Sequence, residues 1–313
     1  MTRGLVLRGS RNIFTVRPEG GPGGISASPL ECRIKGKILK GVEGYYNPLA
    51  PGDWVRCEAD PDHPGTGRIL ALEERRNLLT RFNQKGQAPQ ILAANVDMIL
   101  CVTTPASPPF RPRFLDRLLL QGDIAGIPLA VVCNKYDLAG DADMEERLED
   151  YRRIGYPVFR VSARTGKGMG ELGTLMARRV SVLAGQSGVG KSSLIKALAP
   201  GMDIRVGALN EKYDRGSHTT TMASLLELPS LEARIVDTPG LRRLAPHGVT
   251  GDEVVLHMRE FTPLAGKCTY GLSCSHRTEP GCKIMEAVAA GVIHEDRYES
   301  FLRIRDEIGR SHG

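Results

Sequence analysis

Short segments that alternate apolar and polar residues fill the first third of the chain. Residues 33–38 alternate with a period of two, which is typical of a β-strand that buries one face. The candidate strands in this part are residues 5–7, 12–16, 32–39, 53–58 and 67–72. Five short strands without a helix predict a small β-barrel of the oligonucleotide-binding (OB) type, and an SH3-like barrel would give a similar pattern.

From about residue 88 onward, apolar strands alternate with helical segments. The apolar strands are residues 98–102, 128–133, 157–161, 181–184 and 233–236. Apolar residues recur with helical spacing at 114–124, and a charged helix is predicted at 144–151. Because several of these strands are apolar on both faces, the pattern predicts a parallel sheet that is covered by helices.

The pattern divides the chain into three predicted domains of a multi-domain α/β protein. Residues 1–85 form the OB-like barrel, residues 86–245 the α/β domain, and residues 246–313 a helical module. The module begins where the strand and helix alternation ends, and it has predicted helices at 283–290 and 295–308.

Composition and charge narrow the class of protein. The 313 residues are 41% hydrophobic and 25% charged, which argues against a disordered or collagen-like chain. No apolar run approaches the ~20 residues that span a bilayer, and Arg3 and Arg8 interrupt any signal-peptide core, so we expect a cytoplasmic protein without a membrane partner. The net charge of +6 has its largest share in residues 1–86, which indicates either a polyanionic partner or a solvated basic face.

The seven cysteines are unevenly distributed. Four are scattered through strand-like surroundings, whereas the last three lie close to one histidine in residues 268–282. Three thiolates and one imidazole form a closed tetrahedral set for one structural Zn²⁺ ion. The predicted zinc ligands are Cys268, Cys274, His276 and Cys282. The alternatives are free thiols that lie together by chance, or His257 as a ligand.

Residues 185–192, GQSGVGKS, match the phosphate-loop pattern G-x-x-x-x-G-K-[ST] between a predicted strand and a helical stretch. Glycines let backbone N–H groups surround phosphates, and the helix N-terminus adds a partial positive charge. Lys191 would reach the β- and γ-phosphates as a catalytic residue, and Ser192 would coordinate Mg²⁺. The predicted phosphate-binding residues are Gly185, Gln186, Ser187, Gly188, Val189, Gly190, Lys191, Ser192 and Ser193.

A second loop predicts which base is bound. The residues Asn134, Lys135, Tyr136 and Asp137 follow an apolar strand and match the N-K-x-D signature of guanine recognition. The Asp137 carboxylate can accept hydrogen bonds from guanine N1–H and from the exocyclic amine, which adenine does not offer in that geometry. Ser162 and Ala163 follow the next strand and match the loop that lies behind the guanine.

Two further segments complete the predicted nucleotide site. Asp237 begins the sequence DTPG at the end of a strand, where it would hold Mg²⁺ through water, and Gly240 would contact the γ-phosphate. Thr220, in the switch segment 216–221, is the predicted second Mg²⁺ ligand. Many GTPases have a glutamine directly after this motif, but here Leu241 cannot orient a water molecule, so we expect slow intrinsic hydrolysis. His218 is the internal candidate for that catalytic task, with an ordinary loop histidine as the alternative.

The order of these motifs is unusual. GTPases ordinarily have the phosphate loop first and the guanine motifs last, whereas here the guanine motifs at 134 and 162 precede the phosphate loop at 185. The same sheet forms if the original termini are joined and the chain is opened elsewhere, so the sequence predicts a circularly permuted phosphate-loop GTPase domain. In this order the segment after DTPG leads directly into the C-terminal module, which could therefore respond to the nucleotide.

Taken in order, these residues resemble the RsgA (YjeQ) family of circularly permuted GTPases. The resemblance covers the chain from end to end, although Cys268 and Cys274 are separated by one residue more than is usual in the family. It implies a GTPase that uses GTP/GDP, Mg²⁺ and one Zn²⁺, and that binds the small (30S) ribosomal subunit. The implied activity is hydrolysis of GTP, stimulated by the subunit, during late maturation of that subunit.

Two other functions remain open at this point. The first is an RNA-binding assembly or translation factor in which GTP only changes the affinity and turnover is incidental. The second is a permuted GTPase of the large subunit, against which the barrel and the zinc module argue. We expect a monomer that contacts ribosomal RNA through basic residues of the barrel, namely Arg33, Lys35, Lys37 and Lys40.

Overall fold

The computed structural model describes residues 1–10, 12–20, 28–36, 39, 42–83, 86–138, 140–201, 223–238 and 248–311. The chain divides into two compact units. The first unit comprises Met1–Leu100, Met169–Ala184 and Lys191–Arg243, and the second comprises Cys101–Gly168, Gly185–Gly190 and Leu244–Gly313. Within the described ranges, no helix is both long enough and apolar enough to cross a membrane.

The first unit begins with a closed five-stranded barrel. Its strands are β1 (Thr2–Ser10), β2 (Ile13–Pro18), β3 (Leu30–Ile34), β4 (Trp54–Ala59) and β5 (Thr66–Leu72). They are hydrogen-bonded in the order β1-β2-β3-β5-β4, and β4 returns to pair with β1. The β3–β5 pair is parallel and the other pairs are antiparallel. The predicted N-terminal barrel is confirmed.

The barrel closes around the residues that the period of two placed on one face. In β3, Cys32 is buried while Glu31 and Arg33 are exposed, and in β2 Phe14 and Val16 are buried. The buried side chains of this core are Val6, Phe14, Val16, Cys32, Leu39, Leu49, Val55, Cys57 and Ile69. Because side chains of a strand alternate between its two faces, the same pattern leaves Arg33 and Lys35 in solvent.

The remaining strands of the first unit form a hairpin and part of the α/β sheet. The hairpin of β6 (Leu78–Asn83) and β7 (Ala88–Ala94) is a separate antiparallel sheet, and the sequence pattern did not predict it. The α/β sheet contains part of β8 (Met98–Thr103), then β11 (Val180–Gly185), β12 (Ser224–Leu228) and β13 (Ala233–Asp237). Within this unit the strand order is β8-β11-β13-β12-β1.

One strand of this sheet departs from the predicted parallel arrangement. β11 and β13 are parallel as expected, but β12 is antiparallel to both β13 and β1. The connection between β12 and β13 is a short 3-10 helix, Pro229–Leu231, followed by one residue. A parallel connection needs a crossover of a dozen or more residues, so this turn permits only an antiparallel pair. The helices of this unit are α3 (Met169–Met176) and α4 (Lys191–Leu198).

The second unit contains the other strands of the α/β fold. The strand order is β10-β9-β8, with β9 at Leu129–Cys133 and β10 at Val158–Arg160 in parallel. All five side chains of β9 are buried, as expected for a strand that is covered on both faces. The helices α1 (Pro112–Ile124) and α2 (Ala142–Arg153) match the predicted ones, and the Asp141 side chain caps α2 by accepting from Met144 N at 2.8 Å.

The C-terminal residues of this unit form a helical module. Its helices are α5 (Val254–His257), α6 (Lys283–Ala289) and α7 (Glu295–Ser311), and short 3-10 helices lie at Thr262–Leu264 and Gly271–Ser273. Phe261 and Phe301 pack with ring centroids 4.8 Å apart in a core that also includes Cys268, Cys274 and Cys282. The mixed α/β fold with an N-terminal barrel, a helix-covered α/β domain and a C-terminal module that carries the Cys/His cluster is therefore as predicted.

Candidate functional site

The base-recognition loop begins where β9 ends. Asn134 is buried, and its side-chain amide donates to the Val189 carbonyl oxygen at 2.9 Å. Its side-chain oxygen accepts from the backbone N–H of Ala163 at 3.1 Å. One side chain therefore joins the three segments 134–137, 162–164 and 185–190 within the second unit.

Lys135 also links the loop 134–137 to the phosphate loop, through contacts at the protein surface. Its backbone has a positive φ of 59°, and its Nζ donates to the carbonyl oxygens of Gly188 at 2.7 Å and Ser107 at 2.5 Å. The sequence pattern does not indicate the contact with Ser107, because a backbone carbonyl carries no residue signature. Tyr136 is half-buried, with Lys167 Nζ 5.6 Å from its ring centroid.

Asp137 is the carboxylate that the sequence assigned to the guanine. The hydroxyl of the buried Ser162 donates to one of its oxygens at 2.5 Å, and Arg164 pairs with the other at 2.5 Å. The hydrogen bond from Ser162 lowers the pKa of Asp137, and Arg164 adds to the same direction. Asp137 is thereby held as a carboxylate that accepts hydrogen bonds.

The phosphate loop requires glycine at the positions where the pattern has it. Gly188 and Gly190 have φ values of +84° and +89°, which side chains of L-residues rarely adopt. A Cβ atom on Gly190 would lie 2.4 Å from the Asn134 amide, and one on Gly185 would lie 2.4 Å from the Val102 carbonyl oxygen. The loop follows β11 and ends where α4 begins, as the strand–loop–helix prediction required.

The first unit holds the residues expected near Mg²⁺. Lys191 and Ser192 are the first two residues of α4, and Ser193 is exposed. Asp237 ends β13 with 8% of its surface exposed, and burial raises its pKa while the charge of Lys191 lowers it. Among the residues that the structure describes, the buried Thr238 hydroxyl has no hydrogen-bond partner. A buried carboxylate and a serine hydroxyl are oxygen donors of the type that Mg²⁺ prefers.

Four residues of the predicted nucleotide site lie outside the described ranges. They are His218, Thr220, Gly240 and, directly after the DTPG motif, Leu241, which was expected to have no catalytic part; Lys37 and Lys40 of the barrel also lie outside these ranges. Their assigned roles remain predictions from the sequence.

The Cys/His cluster lies in the C-terminal module. The ligand atoms of Cys268, Cys274, His276 and Cys282 all lie within 4.8 Å of one another, and all four residues are buried. His276 Nδ1 lies 3.4 Å from Cys282 Sγ and 3.6 Å from Cys268 Sγ. Tetrahedral Zn²⁺ with bond lengths near ~2.3 Å to sulfur separates its ligand atoms by roughly 3.8 Å, so this donor set fits zinc. His257 lies in α5 and is not a member of this group.

The loop around His276 is held in place by its neighbours. His276 has a positive φ of 59°, and its carbonyl oxygen accepts from the Tyr298 hydroxyl at 2.6 Å. The Glu279 carboxylate accepts from the backbone N–H groups of Ser275 at 2.6 Å and Arg277 at 3.0 Å. Burial lowers the pKa of His276, which favours the neutral imidazole that a metal ligand requires.

A buried ionic network joins the C-terminal module to α1, and sequence reasoning did not find it. Asp116 of α1 is fully buried and accepts from Arg297 of α7 at 2.8 Å and from the Tyr151 hydroxyl at 2.6 Å. Arg297 also donates to both oxygens of Glu260, at 2.5 and 3.0 Å. The Ser300 hydroxyl donates to the second Asp116 oxygen.

Known proteins are similar to this chain over nearly its whole length. A family model described as RsgA GTPase matches residues 72–246. The chain is 38% identical to the small ribosomal subunit biogenesis GTPase RsgA of Gemmatimonas aurantiaca over 99% of both chains, and 40% identical to that of Moorella thermoacetica over 97% of both chains.

Two solved structures are similar to this chain over nearly its whole length. The crystal structure of YjeQ from Thermotoga maritima matches with a TM-score of 0.74 and 31% identity over 98% of both chains. YloQ, titled a circularly permuted GTPase, shares the fold with a TM-score of 0.71 and 24% identity over 99% of this chain and 96% of that one. The fold and the loops thus define a circularly permuted phosphate-loop GTPase. The chain belongs to the RsgA family.

Proposed function

We propose that this GTPase binds GTP in the loops 134–137, 162–164 and 185–190, hydrolyses it to GDP and phosphate, and acts in the biogenesis of the small ribosomal subunit. The observation that carries this proposal is the Asn134 side chain, which joins all three loops through hydrogen bonds of 2.9 and 3.1 Å. The relatives are named as small ribosomal subunit biogenesis GTPases over nearly the whole chain, which supports the same partner here.

Guanine selection would rest on Asp137. Its ionised carboxylate can accept from the two N–H donors of guanine, while Ser162 fixes its orientation from the buried side. Adenine lacks those donors in that geometry, so bound ATP would leave the Asp137 carboxylate desolvated without hydrogen-bond partners. The free-energy cost of that desolvation would make ATP bind more weakly than GTP.

Hydrolysis would depend on positioning and electrostatics. Ser192 and Thr220 would hold Mg²⁺, with Asp237 contributing through water, and the ion would supply positive charge that neutralises the phosphate oxygens. Lys191 would bind the β- and γ-phosphates, and the N–H of Gly240 the γ-phosphate. Because Leu241 cannot orient water, we propose slow intrinsic turnover that the subunit accelerates, with His218 as the internal candidate for the missing group.

The cluster of Cys268, Cys274, His276 and Cys282 would hold one structural Zn²⁺. Four protein ligands complete a tetrahedral shell, so no open position remains for catalysis. The metal would instead stabilise a small module whose core includes the same three cysteines.

The partner surface would include the barrel and the zinc module, with ribosomal RNA as the contacted polyanion. Arg33 and Lys35 are exposed on and next to β3, where they can reach phosphates. We propose a cytoplasmic monomer that has three functional parts, residues 1–85, 86–245 and 246–313.

The deciding experiment measures GTP turnover alone, with purified small subunits and with large subunits, at stated salt concentrations. We expect stimulation by small subunits only, with GTP preferred over ATP. Stimulation of GTP turnover by large subunits alone would contradict the proposal that the small subunit is the partner. Nucleotide-dependent subunit binding without stimulated turnover would favour a factor in which GTP only changes affinity.

A further inference from the structure

The Asp137 carboxylate has two different neighbours, and each of them contacts a different one of its oxygens. Ser162 is fully buried, so its hydroxyl reaches the carboxylate from the protein interior. The side chain of Arg164 is 75% exposed, so its guanidinium reaches the other oxygen from solvent. A nucleotide base must also arrive from solvent.

We propose that the Arg164–Asp137 ion pair is a latch that must open before the guanine can bind. This inference rests on the proposed function of Asp137 and names a residue that sets the affinity of that site. Guanine requires the solvent-facing lone pairs of the carboxylate for N1–H and the exocyclic amine, and in the closed latch Arg164 occupies that side with a contact of 2.5 Å. The buried hydrogen bond from Ser162 can persist in both states.

The latch is weak enough to open readily. The Arg164 side chain is 75% exposed, and exposed ion pairs shift an equilibrium by about fivefold at most. The apparent affinity of the nucleotide falls by the fraction of molecules in which the latch is open. The latch thus lowers affinity and slows association, and it has no contact to lose once the base is bound.

Arg164→Ala tests this with fluorescent GDP in stopped-flow experiments on the full chain. We expect the association rate constant to rise about two- to fivefold, the dissociation rate constant to stay unchanged, and the Kd to fall by the same factor. Arg164→Lys keeps the positive charge but lacks the planar guanidinium group. Its association rate constant should lie between those of the wild type and Arg164→Ala. The difference between wild type and Arg164→Ala should shrink between about 0.05 and 0.5 M salt, because screening weakens an exposed ion pair.

Arg152→Ala is the matched control, since it removes another exposed, ion-paired arginine, which pairs with Glu149 on α2. It should leave both rate constants unchanged. A faster dissociation in Arg164→Ala would overturn the latch and assign Arg164 to holding the bound nucleotide. Unchanged association would also overturn it, while the proposed function would stand if wild type still binds GDP and Asp137→Ala does not. If wild type does not bind GDP, the proposed function fails, and the latch with it.

Discussion

Gly190 shows how closely a single residue can be constrained at the junction of the three loops. Its φ of +89° and the 2.4 Å approach of a Cβ atom to the Asn134 amide leave no space for a side chain. Any added methyl group would push the phosphate loop away from the side chain that ties it to the base loop.

We predict that Gly190→Ala lowers the affinity for GDP by about five- to 150-fold, because the buried Asn134 amide would lose its hydrogen bond to Val189, a loss of about 1–3 kcal/mol. Equilibrium titration with fluorescent GDP measures this. Gly126→Ala is the control, since Gly126 also has a positive φ but nothing within 4 Å of its Cβ position. An equal effect of both substitutions would show that backbone strain alone is responsible.

The cysteines allow a prediction about metal removal. All seven are buried, and burial raises the pKa of Cys32 and Cys133 to about 12. At pH 8, below these values, only about one such thiol in ten thousand is a thiolate, which is the reactive form. The pKa values of Cys57 and Cys101 are raised by burial as well.

We therefore expect mass spectrometry of the native protein at pH 8 to detect no alkylated thiol, and three after removal of zinc by a chelator. Unfolding in denaturant should expose all seven. The modified residues after chelation should be Cys268, Cys274 and Cys282. Alkylation of Cys268 in the native, zinc-loaded protein would contradict its role as a ligand. Cys268 is the most informative of the three cysteines, because its spacing to Cys274 is wider than is usual in the family.

The sequence predicted residues whose chemistry is tied to a motif, and it missed those defined by packing. Asn134 and Asp137 follow a strand in a known signature, so their place in the loop that also contacts Val189 and Ser162 could be predicted. Asp116 and Arg297 are separated by 181 positions in sequence, and charged helix residues ordinarily face solvent. Only the packing of α7 on α1 brings these two side chains together.

At the scale of elements, the helices and strands that the sequence pattern did not predict are short or have a weak apolar pattern. The helix α3 contains Gly170 and Gly173, and glycine lowers helix propensity by about 1 kcal/mol each. β12 is only five residues long, and its antiparallel direction follows from a turn that the apolar pattern does not encode. The buried strands β8 and β9, in contrast, are continuous apolar runs, and their type was predicted correctly.

Helix α1 contacts both β9, the strand that precedes the base loop, and α7 of the C-terminal module. It lies between β8 and β9 in sequence, and α7 packs against it through Arg297 and through the exposed pair of Arg113 and Glu299 at 2.7 Å. The sequence suggested one connection to the module, the segment after DTPG. The structure adds a second one, which is buried and ionic.

We predict that Arg297→Ala destabilises the packing of α7 by about 3–5 kcal/mol, because Asp116 and Glu260 would remain buried without their common cation. Hydrogen–deuterium exchange of the α7 amides should become much faster in this variant. Arg303→Ala, on the same helix but 55% exposed, should change stability by no more than about 0.5 kcal/mol. Unchanged exchange in Arg297→Ala would show that the apolar core alone holds α7 in place.

At the scale of the whole molecule, the functional question is how the barrel contributes to binding of the subunit. Arg33 and Lys35 project from the face of the barrel opposite to the buried Cys32. Each basic side chain that contacts a phosphate releases about one condensed counterion, so the affinity for RNA falls with the logarithm of the salt concentration.

We predict that the double substitution of Arg33 and Lys35 by alanine reduces the slope of log affinity against log salt for the small subunit by about two. GDP binding should stay unchanged, because neither residue belongs to the nucleotide loops. Replacing Arg152 and Arg178 by alanine removes the same charge from other exposed positions and should leave the slope intact. Equal slopes in the two double variants would mean that overall charge steers the protein to the subunit, and that these barrel residues make no phosphate contacts of their own.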